Sequence, residues 1–181
     1  IEAMAMLRDL PSPPRYLVLG QTHPKIVEHD GERYREALAA QANALGVEDR
    51  VEFDDTYHDT DEILARVREA DIVLLPYRSR EQVVSGVLIE AIASSRPVVA
   101  TAFPHARELL AAGSGIVVPH SDPAAIAAAI RMLCTDDVRS ARVVAAARRQ
   151  APTLFWETVA RTYGRLAASV GTKTGRAEVA V

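Results

Sequence analysis

The chain has 181 residues, of which 49% are hydrophobic and only 5% aromatic, and its 21 Lys and Arg against 24 Asp and Glu give a formal net charge of −3. That length suits one well-buried domain and is too short for two of ordinary size. The charge excludes a general field for nucleic acid or an anionic membrane, and no apolar run reaches the ~18 residues that a membrane span requires. With no signal-peptide pattern at its start and a single cysteine, Cys134, the chain reads as a soluble protein of a reducing, cytoplasmic compartment.

The elements follow in chain order. Residues 1–10 have helical spacing, with Ile1, Met4 and Leu7 on one side, but the segment starts without a cap or an initiator Met, so the chain reads as a piece of something longer. Pro11-Ser12-Pro13-Pro14 stops that helix, and 16–20 is a buried strand followed by the loop Gln21-Thr22-His23-Pro24-Lys25. His23 lies at the carboxyl end of this strand, where it either touches a ligand or is held by backbone. An amphipathic helix is predicted over 32–45, with Tyr34, Leu38 and Leu45 facing in and Gly46 as its stop. A short strand over 51–53 leads to Asp54, Asp55 and His58, which invite a metal-site reading. Against that reading, adjacent acids on an extended segment project to opposite sides, and His58 immediately precedes a helix capped by Asp59 or Thr60, so no metal site is expected. That helix runs over 61–70, into a strand over 71–77.

The next stretch organises the rest. The strand over 71–77, the polar loop Arg78-Ser79-Arg80-Glu81-Gln82-Val83-Val84, a small-residue helix opening at Ser85-Gly86 and the strand Val98-Val99-Ala100-Thr101 together read as one βαβ crossover. Such a unit puts the loop and the helix start at the carboxyl edge of a parallel sheet, where ligands bind. The first turn, with Ser85, Gly86, Val87 and Leu88, offers free N–H groups and the positive end of a helix dipole, and Gly86 has no side chain to keep a phosphate away. Glu90 lies about one turn further in, where its carboxylate can accept hydrogen bonds from a diol such as a ribose. Arg78 and Arg80 in the loop are either partners for an anionic ligand or solvated charge.

Beyond Phe103-Pro104-His105 a short helix is predicted over 106–112, closed by Gly113, and then a last strand over 115–119. Ser121 or Asp122 caps a helix that begins with Pro123 and runs to about Leu133, with Cys134 read as a core thiol in that helical pattern. Helices follow near 137–149 and 154–168. Arg139, Arg142, Arg148 and Arg149 make a solvated basic stripe, and the segment 169–181 reads as a flexible tail. Five strand runs alternating with helices imply an α/β, doubly wound parallel sheet.

Several familiar sites are missing: there is no G-x-G-x-x-G after a strand, no G-x-x-x-x-G-K-[ST], no G-x-S-x-G and no C-x-x-C. What remains is the helix start at Ser85-Gly86, Glu90, and the polar side chains His23, Glu81, Gln82 and His105 around one crevice. This set can hold a nucleoside diphosphate, with the loop after Phe53 for its base, but shows no nucleophile with an attached general base.

In their order, Gly20-Gln21-Thr22-His23-Pro24, Arg50-Val51-Glu52-Phe53, Ala70-Asp71-Ile72-Val73-Leu74-Leu75-Pro76, Ser85-Gly86-Val87-Leu88-Ile89-Glu90-Ala91, Arg96-Pro97-Val98-Val99-Ala100-Thr101 and Gly115-Ile116-Val117-Val118-Pro119 resemble the C-terminal domain of GT-B glycosyltransferases of the family 4 type. The resemblance covers about residues 1–166. It implies a Rossmann-like donor-binding domain over 1–168, half of a GT-B architecture whose two domains together perform retaining sugar transfer from a nucleotide-sugar without metal or other cofactor, so this domain alone is expected to be inactive. The N-terminal acceptor-binding domain, and a strand carrying further phosphate contacts, would lie upstream of Ile1. The family's signature is two glutamates eight residues apart: the second matches Glu90 and the first falls on Gln82, with Glu81 one place off, so Gln82 and Glu90 are the catalytic candidates. Glu81, Ser85, Gly86, Val87, Leu88, His23 and His105 are the accompanying substrate-binding candidates. The family's paired glycines after the next strand fall on Pro104 and His105. Phe155, Trp156 and Tyr163 on the last helix either meet the missing domain or pack in the core. A nucleotide-sugar epimerase on the same plan and a nucleotide-binding module that has lost catalysis, the latter suggested by Gln82, remain alternatives.

Overall fold

A computed structural model describes residues 1–174, and within them strands and helices alternate as the hydrophobic runs predict. Strand β1 (Tyr16–Leu19) pairs in parallel with β2 (Val51–Asp54), from Tyr16 opposite Val51 to Leu19 opposite Asp54. A second parallel ladder runs in the order β3 (Val73–Leu75), β4 (Val98–Thr101), β5 (Gly115–Val118), with Val73 opposite Val98 and Thr101 opposite Val118. The one continuous sheet expected from the sequence is therefore two ladders, and among the described residues no hydrogen-bonded pairing joins β1 to β3. Burial nevertheless unites them. Tyr16, Val18 and Phe53 pack on the same core cluster as Val99 and Val118.

Strand β4 is buried at every position, as a central parallel strand covered on both faces must be. Its alternation divides the core in two. Val99 faces the cluster shared with Met4, Leu7, Ile130 and Leu133, on the side of α7 (Pro123–Thr135). Val98 and Ala100 face Leu88, Ala91 and Ile92 of α5 (Gly86–Ala93), Phe103, Ala106 and, from α8 (Asp137–Gln150), Ala147. Helices thus cover both faces of the sheet, the doubly wound arrangement.

Several boundaries differ from the sequence reading, each for a local reason. The helix expected over 1–10 is a single turn, α1 (Glu2–Ala5), after which the chain continues in tighter turns, the Leu7 amide on the Met4 carbonyl and the Leu10 amide on the Leu7 carbonyl, and Arg131 takes the Met6 carbonyl (2.6 Å) along with the Asp9 carboxylate (2.6 and 3.0 Å). Met4, Leu7 and Leu10 are buried all the same. The loop after β1 contains an unforeseen helix, α2 (Pro24–Asp30), which buries no residue and so carries no hydrophobic periodicity to read. In α3 (Arg33–Ala44), Tyr34 is 57% exposed instead of facing in, and its ring sits under the Arg78 guanidinium, 5.9 Å from the ring centroid. Helix α4 (Thr60–Glu69) starts with a complete capping box from Asp59 and Glu62. Pro104 sets φ for a first helical turn, so α6 (Pro104–Leu109) starts two residues before the predicted 106 and passes through a 3₁₀ turn to Gly113, at φ +84°.

Asp122 caps α7, its Oδ1 accepting from the Ala125 amide at 2.8 Å. Cys134 is exposed on that helix and not a core residue, and partial burial together with nearby Asp71 pushes its thiol up. The α8 arginines 139, 142, 148 and 149 are exposed, as a solvated stripe would be. Helix α9 (Trp156–Thr174) continues past the expected end at 168, so the first residues read as tail are helical, and 175–181 lie outside the described residues. Its aromatics are not core: Trp156 and Tyr163 are 80% and 70% exposed, with Phe155 just before them at 44%. Among the described residues no helix is long and apolar enough to cross a membrane.

Gly115 opens β5 where the chain is tightest: a Cβ there would lie 2.5 Å from the Val98 carbonyl and 2.9 Å from a Leu110 methyl. Since that carbonyl belongs to the central strand and cannot yield cheaply, Gly115→Ala is expected to lower stability by about 1–3 kcal/mol, read as a lower urea midpoint at unchanged slope.

Candidate functional site

Helix α5 begins after a ten-residue loop, 76–85, that leaves the carboxyl end of β3, and three contacts decide where it starts. The Ser85 hydroxyl accepts from the Leu88 amide (3.3 Å), which makes it the N-cap, and lies 3.1 Å from the Tyr77 hydroxyl. The Ser85 amide donates to Nδ1 of His105, 3.0 Å away. Tyr77 stands just beyond β3 and His105 just beyond β4, so Ser85, only 4% exposed, is fastened to two strand ends at once. Tyr77 is itself fixed. Its ring stacks on Phe103 at 5.0 Å, and its carbonyl accepts from the Thr101 hydroxyl (2.8 Å) and from Nδ1 of His120 (3.0 Å), which must carry a hydrogen to bond a carbonyl.

What this leaves open is the first turn of α5. Gly86 and Val87 are exposed, and among the described residues neither amide makes a hydrogen bond. A Cβ on Gly86 would have nothing within 4 Å. Two unfilled donors at the positive end of a helix dipole, facing open space, make this helix start chemically suited to seat an anion. Leu88 contributes neither side chain nor amide to it, because the side chain is fully buried and the amide is taken by Ser85. Glu90 is half-buried one turn along, and its carboxylate forms no hydrogen bond or ion pair among the described residues, which leaves it available.

The other predicted residues are less closely joined to this seat. The Gln82 side-chain amide donates to the Val84 carbonyl at 2.6 Å and is folded onto its own loop. Glu81 is exposed, with its backbone amide on the Ser79 hydroxyl (3.3 Å). His23 caps α2, accepting from the Lys25 amide at 3.2 Å, and no hydrogen bond ties it to the α5 loop among the described residues. His105, expected as an open crevice side chain, instead holds Ser85 through Nδ1. Of the two loop arginines, Arg78 leans over Tyr34 and thereby links the β3 loop to the β1–β2 half of the fold. Tyr77, Thr101 and His120 were not singled out from the sequence. The available signal was position, since each ends or follows a strand run at the sheet's carboxyl edge.

At the ends of β1 and β2 a cavity of about 460 Å³ is lined by Gln21, Thr22, Glu28, Glu32 and Asp55 among others. Beside it, Asp54 accepts from the Thr56 amide (3.0 Å) and lies 2.8 Å from Nε2 of His58, whose Nδ1 is 3.4 Å from Glu62. The Thr56 hydrogen bond, followed by that from His58, holds the Asp54 carboxyl below its ordinary value. The two carboxylates occupy opposite nitrogens of one ring and do not converge. Among the described residues no three His, Cys, Asp or Glu side chains are grouped to hold a metal ion.

With this geometry in view, comparison with known proteins gives a consistent picture. Residues 1–136 match the family model of the glycosyl transferases group 1, and the chain belongs to that family. Over 117 residues it is 35% identical to a phosphatidyl-myo-inositol mannosyltransferase of Mycobacterium leprae, an alignment covering 64% of this chain and 31% of that protein. Among solved structures it is similar to HepE of Anabaena in complex with UDP (TM-score 0.76, 22% identity), covering 94% of this chain and 43% of that one. It is also similar to the C-terminal domain of a glycosyl transferase group 1 family protein from Francisella tularensis (TM-score 0.70, 20% identity), covering 84% and 75% respectively. The fold is thus the Rossmann-like fold of a GT-B C-terminal domain, and the chain spans about a third of the length of the curated relative it matches.

Two outcomes test this description. His105→Ala leaves the Ser85 amide of a buried residue without its acceptor and is expected to cost about 1–3 kcal/mol in chemical denaturation. The Asp54 carboxyl has a lowered folded value, so its contribution is complete above its ordinary 3.8 and fades as pH falls through the folded value. The difference in urea midpoint between the wild type and Asp54→Asn should therefore be largest near neutral pH and close below pH 3.8.

Proposed function

We propose that this chain is the donor-binding half of a retaining glycosyltransferase that takes a nucleoside diphosphate sugar. The observation carrying the proposal is the pair of unfilled amides at Gly86 and Val87, facing open space at the carboxyl edge of a parallel sheet. A pyrophosphate is the guest that such an edge suits. Charge that develops on the departing phosphate oxygen as the sugar bond breaks would be stabilised there by donors already in place. Glu90, whose carboxylate has no other partner among the described residues, takes the ribose hydroxyls, and the cavity at the ends of β1 and β2 takes the base. The UDP held by the solved HepE structure supports a nucleotide as ligand.

The acceptor belongs to a second domain outside this chain. Coverage of 31% of the mannosyltransferase and 43% of HepE leaves room for one. Upstream chain would also supply a parallel strand between the unpaired edges of β1 and β3, and the exposed aromatics of α9 would face the second domain. Sugar transfer by this chain alone would overturn that division of labour. A reading as a nucleotide-binding module with weakened catalysis is favoured by one observation: the position of the first signature glutamate is an uncharged Gln82 with its amide already spent on Val84.

Thermal-shift titration against UDP, GDP and ADP tests the nucleotide proposal. A ligand that binds only the folded state stabilises it by ~2.7 kcal/mol at a hundred times its dissociation constant, so the cognate nucleotide should raise the melting midpoint by several degrees. Glu90→Ala should abolish that rise, and a rise of undiminished size would remove the ribose assignment.

A further inference from the structure

We infer that the same sheet edge carries a second oxyanion pocket, built from Arg80, Arg107 and His120, that binds a phosphate group separately from the helix start of α5. The pocket is a cavity of about 300 Å³ lined by those three residues with Ala102 and Pro104. Its walls come from three different strand-end segments: Arg80 from the loop after β3, Arg107 from α6 after β4, and His120 directly after β5. Neither Ser85, Gly86, Val87 nor Glu90 lines it.

The lining contains no carboxylate. Arg80 and Arg107 form no ion pair among the described residues, although Glu81 and Glu108 are their immediate neighbours in sequence. Two guanidiniums gathered at one concavity without a counter-charge favour a bidentate oxyanion. His120 supplies a fixed wall: its Nδ1–H is committed to the Tyr77 carbonyl, which holds the ring, while Nε2 is shielded from solvent and has no partner among the described residues. The cavity falls at the small end of ligand sites, which run from about 300 to 1,000 Å³, leaving room for a phosphate and part of the group that bears it.

The test uses the whole 181-residue chain, wild type and the Arg80→Gln/Arg107→Gln double variant, at constant ionic strength balanced with chloride. Melting midpoints are followed against inorganic phosphate, glycerol 3-phosphate and UDP. Phosphate should stabilise the wild type, and the double variant should bind it about tenfold more weakly or worse, the loss expected from removing charge-assisted hydrogen bonds. Because both arginines are exposed and unpaired among the described residues, the unliganded midpoint should hardly move. Tighter binding of glycerol 3-phosphate than of phosphate assigns the pocket to a phosphorylated substrate; equal or weaker binding assigns it to the free ion. A phosphate response absent from the wild type, or undiminished in the double variant, overturns the inference. So does a double variant that loses its UDP response together with its phosphate response, since the pocket would then be the nucleotide's own seat. The nucleotide proposal fails separately, on absence of any nucleotide response in the wild type.

Discussion

The position of one serine governs this site. Ser85 has its amide on His105 and its hydroxyl between Tyr77 and the Leu88 amide, and these bonds set the start of α5 against the ends of β3 and β4. A helix start contributes electrostatically only where its free amides are aimed, and the force falls off within a turn. Because Ser85 and Thr101 are buried with their polar groups bonded, the framework behind the free Gly86 and Val87 amides is already ordered before any ligand arrives. That is the preorganisation on which anion stabilisation depends.

Tyr77 is the junction of this framework. Its ring rests on Phe103, its hydroxyl meets Ser85, and its carbonyl gathers Thr101 from β4 and His120 from beyond β5. One residue thereby holds the carboxyl ends of all three strands of the larger ladder in register with the helix start. The smaller ladder is attached differently, through the shared core and through Arg78 over Tyr34. A cation held over an exposed ring is a weak tie compared with a buried hydrogen-bond network. The two halves of the sheet edge are thus held differently: a buried hydrogen-bonded network at the start of α5, and the shared core with a cation over a ring on the side of the larger cavity.

How much of this was legible in the sequence differs by element. The strand runs at Tyr16, Val51, Ile72, Val98 and Ile116 were visible as short apolar runs alternating with helical patterns. The start of α5 was visible because the small residues Ser85 and Gly86 follow a polar loop between two apolar runs. Helix α2 was not, because it buries nothing, and the inward face of α3 was misread at Tyr34, whose apolar ring found a cation on another element. Nor could spacing distinguish a crevice histidine from one that anchors a backbone amide, so His105 was placed at the right edge with its partner unknown.

The sequence by itself determined the alternation of strands and helices, the helix start at Ser85-Gly86 and the place of Glu90 one turn beyond it, because hydrophobic period and capping chemistry act over a few neighbouring residues. Only the tertiary structure decided that Tyr77, His105 and His120, from the ends of three different strands, meet around one buried network, and that Arg80 and Arg107 share a cavity while Arg78 does not line it. Contacts between residues 20 to 43 positions apart depend on how parallel strands are stacked side by side. That stacking is set by burial of the whole sheet and leaves no mark in any local run of residues.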